Sequence, residues 1–145
     1  MYKKILVPLD GSPIAEAVLP HAEALAKSEN AELIILRVPN IPTGEYIALD
    51  PIITSTIRQG IRDEASVYVA DKVNTLKKEN IKATGVTKEG SVADIILEVA
   101  EETHADMIAM STHGRTGVKR WLMGSVADKI VHHANIPVML IHPNY

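Results

Sequence analysis

Residues 110–127, Met-Ser-Thr-His-Gly-Arg-Thr-Gly-Val-Lys-Arg-Trp-Leu-Met-Gly-Ser-Val-Ala, concentrate the residue types best suited to chemistry. An apolar segment leads into a loop carrying Arg115, Lys119 and Arg120, and Gly124-Ser125 then opens a helical pattern. Nine residues separate Gly114 from Gly124. Glycine permits a tight turn and close approach of a ligand to the backbone, and the start of a helix presents unbonded N–H groups and a partial positive charge. Together these features favour an anion, above all a phosphate. The plainer alternative is an ordinary strand-to-helix turn with Ser125 as its cap, and the residues alone leave both open.

Other chemistries have less support. Neither Gly-x-x-x-x-Gly-Lys-Ser/Thr nor Gly-x-Gly-x-x-Gly occurs, which removes kinase-style and dehydrogenase-style phosphate loops. With no Cys, thiolate metal sites, cysteine nucleophiles and disulfides are all excluded. The six His show no metal-ligand spacing, and only His113 falls in the glycine loop. Neighbouring carboxylates such as Asp63-Glu64 and Glu101-Glu102 point apart on a helix, so an acid/base pair there is not expected. Asp10 is a candidate for binding a ligand hydroxyl or placing Mg²⁺, with local backbone capping as its structural alternative. Arg115, Lys119 and Arg120 either neutralise phosphate or are solvated, and Trp121 reads as a packing anchor.

Five apolar runs, at residues 5–7, 33–36, 81–86, 107–110 and 138–141, must position these groups. Four are nearly continuous rather than alternating, as in strands buried on both faces of a parallel sheet. Helical patterns separate them. Ser12 and Pro13 start the first; residues 53–78 form a long one with Ile57, Ile61, Val69, Val73 and Leu76 on its buried side, and Gly60 marks a bend or break. Ser91 and Asp94 read as a variant capping box, and Ser125 starts the last helix, ending near Ala134. Right-handed crossovers then give an α/β fold, a single open five-stranded parallel sheet of order 3-2-1-4-5 with helices on both faces. Ligands of such sheets lie beyond the carboxyl ends of the strands at the switch point, here between the first and fourth strands, where residues 8–11 and 111–124 meet. Residues 39–50 are the longest irregular piece, read either as a lid or as a plain crossover loop.

The bulk properties agree with one globular domain, residues 1–145, that is 46% hydrophobic and 23% charged. A net charge of −3 and only 3% aromatic residues disfavour nucleic acid, which needs surplus cations and stacking platforms. The apolar stretch behind Lys3 and Lys4 stops at Asp10, too short for a signal peptide or a membrane span, so a soluble cytoplasmic protein is expected. The apolar last strand, 137–142, is expected at a sheet edge, where exposed strands invite pairing.

The opening Lys-Lys-Ile-Leu-Val-Pro-Leu-Asp-Gly-Ser, the closing Asn-Ile-Pro-Val-Met-Leu-Ile and the glycine loop resemble those of universal stress proteins, over essentially the whole chain. That family has a Rossmann-like, adenine nucleotide alpha hydrolase-like fold and an ATP-binding pattern Gly-x2-Gly-x9-Gly-Ser/Thr. Gly114, Gly124 and Ser125 match its last three fixed positions, whereas Ser111 replaces its first glycine. The resemblance implies that Pro8 and Asp10 lie against the adenosine, Val38 contacts the adenine, and Met110 and Ser111 flank the ribose. It also implies that Gly114, Gly124, Ser125 and the amides of Val126 and Ala127 hold phosphates. The expected ligand is ATP, or ADP or AMP, with Mg²⁺, acting as a regulatory ligand in stress response. Any hydrolysis is expected to be slow, since no residue has the pattern of a dedicated base. A homodimer through the C-terminal edge strand is expected on the same grounds. The alternatives are a nucleotide-free dimeric interaction protein, with Ser111 crowding the ribose, and a weak ATPase.

Overall fold

The computed structural model describes residues 1–41, 50–113 and 124–143. Five parallel strands form one sheet: β1 (Lys4–Leu9), β2 (Glu32–Arg37), β3 (Lys82–Thr87), β4 (Met107–Ser111) and β5 (Val138–Ile141). Their order is β3-β2-β1-β4-β5, as the sequence predicts. Four α-helices connect them: α1 (Leu19–Glu29), α2 (Pro51–Lys78), α3 (Val92–Glu102) and α4 (Ser125–His133).

The period-two geometry of strands divides the core into two layers. Ile5, Val7, Leu33, Ile35 and Ala109 face α1 and α2, meeting Val18, Ala22, Val69, Val73 and Leu76. Leu6, Ile34, Leu36, Ile108 and Met110 face the opposite way, onto Ile96 and Val99 of α3 and Ala127 and Ile130 of α4. Ile5, Leu6, Val7, Leu33, Ile35, Leu36 and Ile108 are fully sealed from solvent. A continuous apolar run therefore serves both layers at once. Among the described residues no helix is long and apolar enough to cross a membrane.

Four local expectations change. The Ser12 cap forms, with Ser12 Oγ accepting from Ala15 N at 3.1 Å, but the helix enters through a 3-10 turn, Ala15–Val18. Pro20 has no N–H to return to the Glu16 carbonyl, which instead accepts from Leu19 one residue earlier. Helix α2 runs unbroken through Gly60, starting on Asp50, whose side chain accepts from Ile52 N at 2.9 Å, with Pro51 at its first position. Ile57 and Ile61, expected on its buried side, are exposed and half-buried; burial begins at Ala65, so the first half of the helix gains little from the sheet. Ser91 does occupy the N-cap of α3, yet its side chain makes no cap bond to a backbone amide.

Candidate functional site

Strands β1 and β4 part early. Ladder pairing runs only through Ile5↔Met107 and Leu6↔Ile108, while β1 and β2 stay in register from Lys4↔Glu32 to Leu9↔Arg37. Pro8 supplies a local reason. Lys3 O accepts from Glu32 N and Lys4 O from Asp106 N, so the even-numbered peptide groups of β1 turn toward β4. Pro8 is one of these and has no N–H to continue the ladder. Beyond it lies a cleft of about 260 Å³ at the carboxyl ends of β1 and β4, the switch point expected for a ligand.

Nine of the sequence-predicted residues line this cleft: Pro8, Asp10, Val38, Met110, Ser111, Gly124, Ser125, Val126 and Ala127. The tenth, Gly114, lies outside the described residues, as do Arg115, Lys119, Arg120, Trp121 and Met123 and most of the 39–50 segment. The lining includes residues that sequence reasoning passed over: Leu36, Val92, Ile96, Ala15 and Thr112. Leu36 was accessible, since it lies two positions before Val38 and so shares its face of the strand. Val92 and Ile96 enter from α3, whose start stands at the same end of the sheet.

The phosphate end of the expected site is built around α4. Its N-cap is Gly124, in extended conformation with no side-chain cap, and Ser125 is the first helical residue rather than the cap. The amides of Ser125, Val126 and Ala127 have no preceding helical turn to bond. Glycine is required by closeness, not by backbone angles: a Cβ at residue 124 would lie 2.8 Å from the Thr112 carbonyl oxygen. That carbonyl accepts from Gly124 N at 2.9 Å, and Thr112 N donates to Ile141 O at 2.9 Å, so the helix start is tied through β4 to β5.

Ser111 turns its hydroxyl to the 3-10 turn, donating to Ile14 O at 2.9 Å, with Ala15 O at 3.3 Å. Asp10 Oδ1 accepts from Ser12 N at 2.9 Å and from Ser12 Oγ at 2.6 Å, an Asx-turn that shapes the end of β1. His113 is buried, and its ring meets that of His142 edge-on at 6.1 Å. His142 Nδ1 in turn lies 3.3 Å from Thr112 Oγ1. His113 lines the cleft, and His142 packs against it from the end of β5. Among the described residues no three His, Asp or Glu side chains converge as a metal site.

The profile of the universal stress protein family matches residues 1–142. The chain belongs to this family. Universal stress protein MJ0531 of Methanocaldococcus jannaschii is 32% identical over 142 residues, covering 97% of this chain and 82% of the relative. Among solved structures, MJ0577 of the same organism superposes with a TM-score of 0.86 at 28% identity, covering 100% of this chain and 99% of the other. A universal stress protein family member from Arabidopsis thaliana, solved with AMP bound, matches the fold with a TM-score of 0.71 at 20% identity, over 98% of this chain and 92% of that one.

Proposed function

We propose that the cleft binds an adenine nucleotide, ATP with Mg²⁺ in the first instance, as a regulatory ligand of a universal stress protein. The observation that carries this reading is the start of α4, capped by no side chain of its N-cap residue, opening onto a crevice lined mainly by apolar residues. Leu36, Val38, Ile96 and Met110 suit a flat, weakly polar base, while the amides of Ser125, Val126 and Ala127 suit a phosphate chain. Gly124 would admit a phosphate oxygen where a Cβ would stand. Gly114 would join this cradle. A bound Mg²⁺ would screen phosphate charge; Asp10 is the carboxylate at the cleft, and Mg²⁺ commonly takes one or two carboxylates alongside phosphate oxygens. The Ser111 hydroxyl donates to the Ile14 carbonyl of the 3-10 turn, an orientation that supports room for the ribose. The AMP held by the Arabidopsis relative supports the same ligand class on the same fold.

Asp10 is committed to the Ser12 turn, and the buried His113 is packed against His142. Neither arrangement is that of a base poised over an attacking water, so the reading is binding with at most slow hydrolysis. Strand β5 stands at the sheet edge with all four residues only half-buried, and we assign it to pairing with a second copy in a homodimer. Native mass spectrometry of freshly purified protein, followed by thermal denaturation with ATP·Mg, tests both claims. A dimer mass with co-purified adenylate is expected. At a hundred times Kd the ligand adds about 2.7 kcal/mol of stability, a rise of several degrees in Tm. No shift at millimolar nucleotide overturns the reading.

A further inference from the structure

Arg37, at the end of β2, is a buried cation that the cleft does not use. It is 5% exposed, and its side chain lies on the α1/α2 side of the sheet, opposite its cleft-lining neighbours Leu36 and Val38. Nη1 and Nη2 donate to the two carboxylate oxygens of Glu64 at 3.3 and 2.9 Å. The guanidinium carbon lies 5.0 Å from the centre of the Tyr68 ring. Tyr68 OH donates to Glu16 Oε2 at 2.7 Å, and Lys72 Nζ donates to Glu16 Oε1 at 2.9 Å. The guanidinium also meets Gly11, where a Cβ would lie 3.1 Å from Nη1 and 3.3 Å from Cζ. Gly11 has φ +89°, a conformation that side-chain-bearing residues rarely adopt.

We propose that Arg37 is the positioning residue of the Asp10–Ser12 turn: its planar guanidinium, clamped by Glu64 and Tyr68 of α2, is the platform on which Gly11 rests and from which Asp10 is held at the cleft. Stability alone does not call for this arrangement. A buried ion pair is often matched or bettered by apolar side chains of similar volume. A flat, forked cation fits between a glycine backbone and an aromatic ring, whereas a lysine ammonium is a compact point charge with no such plane. Within the turn Ser12 N and Oγ bond back to Asp10, Ser12 Oγ holds Ala15 N, and Ser12 O accepts from Glu16 N at 3.2 Å, so a shift of Gly11 on the guanidinium is passed to Asp10 and to the start of the 3-10 turn. The same geometry links occupancy of the cleft to α2. The link to nucleotide rests on the binding reading above; the support of the turn does not.

The test combines Arg37→Lys, Glu64→Gln and Gly11→Ala with two readouts. Amide exchange in the ligand-free protein, read at Ser12 and Ala15, reports the turn itself. Calorimetric titration with ATP and AMP reports the cleft. In Arg37→Lys, exchange at Ser12 and Ala15 is expected to rise about tenfold while amides of β5 and α4 keep wild-type rates, with affinity for both nucleotides falling about tenfold. Gly11→Ala is expected to reproduce this, and Glu64→Gln to give a smaller version. Should Arg37→Lys fail to fold, the other two variants carry the same comparison. Unchanged exchange at Ser12 and Ala15, or an equal rise throughout the sheet, overturns the proposal. If wild-type protein binds neither nucleotide, the binding reading falls and the exchange arm alone decides the role of Arg37.

Discussion

Replacing Gly124 by Ala asks whether the start of α4 and the end of β4 act as one device. The backbone at residue 124, φ −61° and ψ 155°, is fully open to alanine, so conformational strain does not enter. The added Cβ would stand 2.8 Å from Thr112 O, about half an ångström inside an ordinary carbon–oxygen contact of about 3.3 Å. Neither partner has a flexible tail to give way. The Thr112 peptide is fixed by bonds to Gly124 N and Ile141 O, both 2.9 Å. Helix α4 must therefore withdraw by roughly that half ångström, at an overpacking strain of about 1–3 kcal/mol. The amides of Ser125, Val126 and Ala127 travel with it, lengthening the charge-assisted bonds they would make to phosphate. Losing most of one or two such bonds corresponds to about a tenfold to hundredfold fall in ATP affinity. Calorimetric titration with ATP, AMP and adenosine is the assay, with thermal denaturation of the free protein as control. Adenosine, which lacks phosphate, should bind within about threefold of wild type. An equal loss for adenosine and ATP would refute the phosphate cradle. Wild-type Tm together with wild-type ATP affinity would refute the steric reasoning.

Ser111→Gly removes the donor to the Ile14 and Ala15 carbonyls and should lower stability by about 1–2 kcal/mol in a denaturant titration, with no gain in ATP affinity; a tenfold gain would mean that the side chain obstructs the ribose. Asp10→Ala abolishes the Ser12 turn and should weaken ATP binding about tenfold by calorimetry, so an unchanged Kd removes Asp10 from the site. Asp106 accepts from the backbone N–H groups of Lys3 and Lys4, both at 2.9 Å, and these bonds hold its pKa below the usual carboxylate range. A carboxyl depressed in the folded state stabilises it above the unfolded pKa, about 3.9, and loses that contribution as pH falls through the lower folded value. The stability gap between wild type and Asp106→Asn, about 1 kcal/mol at neutral pH for a partly solvated carboxylate, should therefore close below about pH 4; a gap independent of pH would show that the charge is not involved.

The strand order and the cleft were legible for one reason. Strands sealed on both faces must read as unbroken apolar runs, and right-handed crossovers leave few ways to arrange five of them. Leu33-Ile34-Ile35-Leu36 is such a run, sending alternate residues into the two core layers. What escaped depends on contacts between distant residues. Arg37 and Glu64 are separated by 27 positions, and Tyr68 and Glu16 by 52; no local pattern announces that a strand-end arginine will stack beneath a glycine. Serine is a common cap, but the first helical bond, from Asp128 N to Gly124 O at 2.9 Å, makes Gly124 the cap, and the nearby Thr112 carbonyl leaves no room for a Cβ there. Ile57 matched the helical period of α2, yet periodicity cannot reveal that the sheet does not reach beneath that turn.

Pro8 shows how fold and site draw on the same residue. In a central strand proline normally argues against the strand, because it deletes a ladder bond. Here the deletion falls where β1 would otherwise continue pairing with β4, and the ladder ends at Leu6↔Ile108. On the other side of β1 the ladder to β2 runs on to Leu9↔Arg37, because Pro8 turns its missing donor away from β2. One strand thus stays zipped to a neighbour while opening from the other. The unzipped side becomes the crevice, and the zipped side carries Arg37 to the position beneath Gly11. Restoring the donor with alanine would not close the cleft unless β4 also shifted toward β1. The bonds between Thr112, Gly124 and Ile141 tie the end of β4 to α4 and β5 and oppose that shift. The opening is therefore held from both of its edges, as a preorganised ligand site requires.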